Sequence, residues 1–223
     1  MTSSGADAHD NGHDHQRTML ERLTFFSDAV FAIAITLLVI EVRAPELHHA
    51  TDAALAQALA NLIPKYVGFL VSFLVVGRFW IGHHRAFGML KASDQRLVWT
   101  NLFLLLAVAF MPFPTAVFSE YAQLRVGVGI YTGWLTLLGL LNVAVIRAAL
   151  SNPALVRDGV DGAAIRLMRR ASWTPVVIGV GAFILGMVTP LLSLAALIVG
   201  SPVIGYIARH WEDRRQGMPV NPG

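Results

Sequence analysis

Arg22-Leu-Thr-Phe-Phe26-Ser27-Asp28-Ala-Val-Phe-Ala-Ile33-Ala-Ile-Thr36-Leu37-Leu-Val-Ile40 decides how the rest of this chain is read. From residue 25 to residue 42 only Ser27, Asp28, Thr36 and Glu41 interrupt the apolar run. As a helix rising about 1.5 Å per residue it covers roughly 27 Å, enough to cross the hydrocarbon core of a bilayer. Asp28 lies inside it. A carboxylate within a span costs at least a few kcal/mol, so it needs a partner or a task.

The remainder of the chain repeats the apolar theme. Of 223 residues, 55% are hydrophobic and only 14% charged, too little polar surface to cover a soluble domain of this size. Six apolar runs are predicted as spans, near residues 25–42, 62–81, 99–118, 126–149, 172–188 and 191–208. The fold class is therefore an all-α integral membrane protein with six transmembrane helices. Residues 1–18 form a disordered polar tail containing His9, His13 and His15 among Asp7, Asp10 and Asp14. Residues 19–211 make the membrane domain and 212–223 a short cytoplasmic tail. In the first loop, residues 53–60 have the composition of a short interfacial helix, and Thr189-Pro190 joins the last two spans as a tight hairpin. There is no cysteine, which excludes disulfides and thiolate metal sites. The arginine-rich balance comes without a nucleic-acid motif and speaks to orientation instead. Of the 17 Lys and Arg, only Arg43, Lys65 and Arg125 fall on one side of the six spans, so both termini are expected in the cytoplasm.

A helical projection of the first span separates two faces. With Ile33 at zero and about 100° per residue, Phe26, Ala29, Thr36, Leu37 and Ile40 lie within roughly 60° of it, while Ser27 and Asp28 point about 120–140° away. An apolar stripe of this kind is ordinarily lipid-facing or packed, and Thr36 can satisfy its hydroxyl on its own backbone. The polar pair has candidate partners at the same membrane depth. Helix two ends in Trp80-Ile-Gly-His83-His84-Arg85-Ala-Phe87, and helix three begins with Asn101. Trp80, His83 and His84 share a face by spacing, so Ser27, Asp28, Trp80, His83 and Asn101 are expected to form one buried polar cluster. Helix three carries Phe110-Met-Pro112-Phe113-Pro114-Thr115, which should break or kink it. Gly129 and Gly133, spaced as a small-residue motif, and Gly179, Gly181, Gly186, Gly200 and Gly205 are read as helix-packing positions.

Arg22-x-x-x-Phe26-Ser27-Asp28, continued by Val30-Phe31-Ala32-Ile33-Ala34-Ile35-Thr36-Leu37, resembles the signature of the transmembrane-protein-175 potassium channels. Trp80-x-x-His83-x-x-x-Phe87, Asn101-Leu102 and Phe110-x-Pro112-Phe113 resemble that family's motifs in helices two and three. The likeness covers roughly the first half of the chain; the last three helices match in number only. With one six-helix repeat the chain is similar to the prokaryotic members, which the family pattern makes homotetramers of the plasma (cell inner) membrane. The resemblance implies a pore on the fourfold axis lined by helix one, with Ile33 at the constriction, Leu37 and Ile40 above it, and Thr36 at a position tied to potassium preference. Arg22 would sit at the cytoplasmic mouth. Phe26, Ser27, Asp28, Trp80, His83 and Asn101 belong to the signature and its helix-packing network. The permeant ion would be potassium, with no cofactor and no bound metal, and the partners would be three further copies and the bilayer. No Thr-Val-Gly-Tyr-Gly loop is present, so a carbonyl filter is not expected and selectivity should be modest. The competing reading is a proton-coupled or divalent-metal carrier using Asp28 and His83. An intramembrane hydrolase would need a nucleophile–base or metal constellation that these motifs do not supply.

Overall fold

The computed structural model describes residues 4–189 except His48, with side chains from Thr18 onward. Its helices are α1 (Ser4–Leu37), α2 (Asp52–Asn61), α3 (Ile63–Phe87), α4 (Gln95–Ala109), α5 (Pro112–Tyr121), α6 (Arg125–Leu150), α7 (Gly162–Ala171) and α8 (Thr174–Val188). Two 3-10 turns, Leu38–Glu41 and Pro153–Leu155, complete the regular structure. The backbone of α1 thus begins well before residue 19, where the polar tail was expected to end. Among the described residues five helical stretches are long and apolar enough to span a membrane: Thr18–Glu41, Ile63–Phe87, Gln95–Tyr121, Arg125–Leu150 and Gly162–Val188. The sixth expected span, residues 191–208, lies outside the described residues. The chain is a multi-pass, all-helical membrane protein.

Local chemistry explains where these helices start. Thr51, Asp94 and Asp161 sit in extended backbone and accept the N–H of Ala54, Leu97 and Ala163 at 3.2, 2.8 and 2.9 Å, capping α2, α4 and α7. Prolines open α3, α5 and α8, where a missing N–H costs nothing. The short α2 corresponds to the interfacial helix expected in the first loop, and none of its side chains is buried.

The break between α4 and α5 follows from Pro112 and Pro114, which cannot donate to carbonyls one turn back. Met111 N turns to Val108 O instead (3.0 Å) and Phe113 N to Phe110 O (3.1 Å), both in 3-10 fashion. Ala107 O is left without its helical donor. Trp134 of α6 fills the gap, its Nε1–H donating to Ala107 O at 3.0 Å.

α6 is the hub. It packs against α4, α5 and α3 on one side and most extensively against α8 on the other. The small residues that allow this are not the expected pair. A Cβ on Gly133 would meet open space, and one on Gly129 only the side-chain ends of Met187 and Phe183. A Cβ on Gly139 would instead come within 2.9 Å of Val176 N, and one on Gly179 within 3.1 Å of Thr136 Cα. Those two glycines set the α6–α8 distance, because backbone lies directly opposite them. α1 lies at the other margin of the chain, packed chiefly on α3 and α4.

The loops at one end are tied together. Residues 89–91 pair with residues 155–158 through Lys91 N to Leu155 O (2.8 Å), Arg157 N to Met89 O (2.9 Å) and Arg157 Nε to Leu90 O (2.8 Å). Lys91 Nζ also donates to Asp158 Oδ1 at 2.9 Å, and this hydrogen bond and charge hold the Asp158 carboxyl below the usual carboxylate range.

Candidate functional site

The two faces of α1 are separated cleanly in the structure. Leu20, Leu23, Ser27, Phe31, Ala34 and Leu38 are all buried, at the three-and-four spacing of a single helical stripe. On the opposite side Arg22, Phe26, Ala29, Ile33, Thr36, Leu37 and Ile40 are exposed in the isolated chain. Ile33 is 58% exposed, whereas Phe31 and Ala34 beside it are at 1%. The exposed stripe is continuous from Arg22 to Ile40, with one change from the projection. The final turn, Leu38–Glu41, is 3-10 rather than α. At about three residues per turn, Ile40 is carried directly above Leu37 instead of to the other side of Ile33. Thr36 Oγ1–H donates to Ile33 O at 2.8 Å, one residue nearer than the expected bond four back. That bond spends the proton and leaves the oxygen lone pairs for the stripe side.

Behind the stripe the expected polar cluster resolves into two parts. Trp80 Nε1–H donates to Asp28 Oδ1 at 2.8 Å near the rim, where Trp80 is partly exposed. Deeper, His83 Nε2, Asn101 and Ser27 form a chain. Asn101 Oδ1 lies 2.7 Å from His83 Nε2, Asn101 Nδ2–H donates to Ser27 Oγ at 2.8 Å, and Ser27 Oγ–H donates to Leu23 O at 2.7 Å. The direction of the last two bonds leaves Asn101 Oδ1 as an acceptor, which assigns the imidazole proton to Nε2. The ring is clamped between apolar neighbours, stacked on Phe87 at 4.0 Å and tilted against Phe31 at 5.5 Å. His83 Nδ1 is buried and has no hydrogen-bond partner among the described residues. Three helices are thereby joined: α3 by His83, α4 by Asn101, α1 by Ser27. Each such bond contributes about 1 kcal/mol, and an orphaned buried partner costs about 1–3 kcal/mol. Asp28 and His83 are not hydrogen-bonded to each other; each has its own partner.

A second polar group went unread in the sequence. Thr115 Oγ1 and Tyr131 Oη both reach Ser72 Oγ, at 2.8 and 2.9 Å, deep between α5, α6 and α3. Tyr131 stacks on Phe118 with ring centroids 4.6 Å apart. A Tyr and a Thr within apolar runs were the available signals, but residues 43 and 59 positions apart have no local spacing to betray them. On the far side of the membrane from the polar chain, a cavity of about 250 Å³ is lined by Glu41, Lys65, Phe113, Ser119 and Glu120, with Lys65 and Glu120 paired at 3.0 Å. Among the described residues no cluster of three or more His, Cys, Asp or Glu has metal-binding geometry.

Chemically, this is a site without a reactive group. Its polar side chains are spent holding α1 in place, and the exposed surface of α1 is mostly apolar, with Arg22 at one end and the Thr36 hydroxyl within it.

Comparison with known proteins points the same way. The family described as endosomal/lysosomal potassium channel TMEM175 matches residues 22–112. A potassium channel of Chamaesiphon minutus is 42% identical over 115 residues, 50% of this chain and 57% of that protein. The chain therefore spans little more than half the length of that relative. An endosomal/lysosomal proton channel TMEM175 of Danio rerio is 25% identical over 67% of this chain and 28% of its own. Among solved structures, that of a lysosomal potassium-selective channel TMEM175 homolog from Chamaesiphon minutus superposes with a TM-score of 0.75 at 29% identity. The superposition covers 86% of this chain and 98% of that one.

Proposed function

We infer that this chain, which belongs to the TMEM175 channel family, forms a potassium-preferring cation pore around an axis lined by α1. The observation that carries the reading is the exposed stripe from Arg22 to Ile40, on the helix whose opposite stripe, Leu20, Leu23, Ser27, Phe31, Ala34 and Leu38, is buried. Lipid alone would not call for Arg22 at one end and a hydroxyl-bearing Thr36 in the middle of that stripe. A single helix cannot enclose a path, but a closed ring of copies about an axis can, and a homotetramer is the state we propose. Ile33 then forms the narrowest ring, Leu37 and Ile40 stack above it, and Thr36 offers the oxygen atoms nearest to a passing ion. Ions cross passively at a rate set by hydration of the neck, which opens and closes by wetting. The Trp80–Asp28 bond and the His83–Asn101–Ser27 chain hold α1 at a fixed radius from behind. The expected membrane is the plasma membrane.

The carrier alternative joins Asp28 to His83 as a proton relay, and the geometry favours neither half of it. Asp28 is engaged by Trp80, and the His83 chain runs away from Asp28 towards Leu23 O. Protons are a second permeant ion to measure, given the name of the animal relative. The decisive experiment is single-channel recording of the purified protein in planar bilayers under potassium–sodium bi-ionic conditions. Discrete steps with a reversal potential on the potassium side are expected. A saturating flux without steps would replace the channel with a carrier.

A further inference from the structure

α7 is built differently from every span around it. In projection Arg166, Arg169 and Arg170 fall within an arc of about 100°. All three are exposed, and among the described residues no carboxylate pairs with them. Met168 on the opposite side of the helix and Ile165 on one flank pack against the core. Leu167, on the flank between the two faces, is left 49% exposed. The helix ends at Ser172, Trp173 follows, and α8 enters the apolar run of the last described span. Arg147, in the last turn of α6, places its guanidinium 5.4 Å from the Trp173 ring centre. Nearby basic residues of the adjoining loops are already committed, Lys91 to Asp158 and Arg157 to Leu90 O. The arginines of α7 are not.

A helix with a cationic face, an exposed leucine on its flank and a tryptophan at its end fits the boundary between headgroups and acyl chains. The arginines cannot enter hydrocarbon without heavy cost, and they cannot be far from it, because only two residues separate α7 from α8. We propose that α7 and the α6–α8 junction form a docking surface for anionic phospholipid of the adjacent leaflet. Arg166, Arg169 and Arg170 meet the headgroup phosphates, Arg147 is held at the same level by Trp173, and Leu167 inserts beside the first methylenes. The partner is fixed by charge complementarity: a zwitterionic headgroup offers no net charge to this face, and guanidinium pairs with phosphate through two parallel hydrogen bonds. The proposal does not depend on what passes through the pore.

The test reconstitutes the full-length chain in equal phosphatidylglycerol and phosphatidylcholine, then measures by native mass spectrometry which lipid remains bound. Wild type is expected to retain phosphatidylglycerol preferentially. The triple variant Arg166→Gln, Arg169→Gln, Arg170→Gln should lower that preference about tenfold or more. Arg125→Gln, at the opposite end of α6, should leave it unchanged. No preference in wild type, or a preference that survives the triple variant, overturns the proposal. Competition by millimolar inorganic phosphate would put a free anion at the site and overturn it as well. If the triple variant fails to assemble on size exclusion, wild type in half-molar salt and the triple Arg→Lys variant decide the matter. Salt should erase the preference and Lys should retain it, and the reverse in either measurement refutes the surface.

Discussion

Ile33 shows the contrast between the two faces of α1, since Phe31 and Ala34 are at the core while Ile33 is 58% exposed. In a ring of copies its branched side chain sets both the width and the dryness of the neck. Replacing it with Ala should widen the ring, and with Asn should let water stand in it. Both variants should raise single-channel conductance severalfold and bring the potassium-to-sodium permeability ratio towards one. Recordings under the bi-ionic conditions above check this, and unchanged currents in both variants would remove Ile33 from the pore wall. The stripe itself was legible because a period of about 3.6 residues is all that it encodes. Two details escaped that period. The 3-10 turn at Leu38–Glu41 moves Ile40 above Leu37, and nothing in Leu-Val-Ile-Glu announces the tighter winding. The polar cluster was legible as a set of residues but not as pairs. Depth along two helices says which side chains share a level, whereas the choice of Trp80 rather than His83 for Asp28 depends on side-chain reach.

At the scale of elements, the α4–α5 break shows how a membrane helix tolerates two prolines. Each loses a donor, the backbone re-pairs in 3-10 fashion, and Ala107 O, which that re-pairing does not reach, is served from another helix. Trp134→Phe keeps an aromatic ring but removes that donor together with part of the ring packed against Phe110. It should cost about 1–3 kcal/mol, the range for a buried polar group left unpaired, and lower the thermal midpoint of the detergent-solubilised protein. An unchanged midpoint would mean that water or a neighbouring group serves Ala107 O instead. The prolines made the break predictable. The tryptophan 27 positions away could not be matched to it, because hydrogen bonds between helices leave no trace in either helix's own pattern. The glycines teach the same lesson. Gly129 and Gly133 have the right spacing, yet a Cβ on the first would meet only the side-chain ends of Met187 and Phe183 and one on the second open space, while backbone stands across the α6–α8 contact from Gly139 and from Gly179, the latter already read as a packing position. Spacing gives a face, and only the fold says what stands across from it. α7 was legible merely as arginines in a loop, because its ten residues are too short and too charged to register as a span.

For the whole molecule, the described helices pack around α6, with α1 at one margin and its stripe facing outwards. On the proposed reading a single chain is incomplete as a pore, and further copies would supply the other walls. Stoichiometry is therefore a functional quantity, and the Ile33 substitution makes it readable. In a ring of four, random mixing of wild-type and Ile33→Asn chains gives channels with zero to four altered side chains at one level. Each asparagine hydrates a further part of the same neck, so the conductances should sort into five classes whose frequencies follow the binomial distribution for the mixing ratio. Two chains per pore would give three classes, and a pore within each chain only the two parental values. Coexpression of the two chains with single-channel recording distinguishes these outcomes, and only five classes agree with a neck formed by four copies of Ile33.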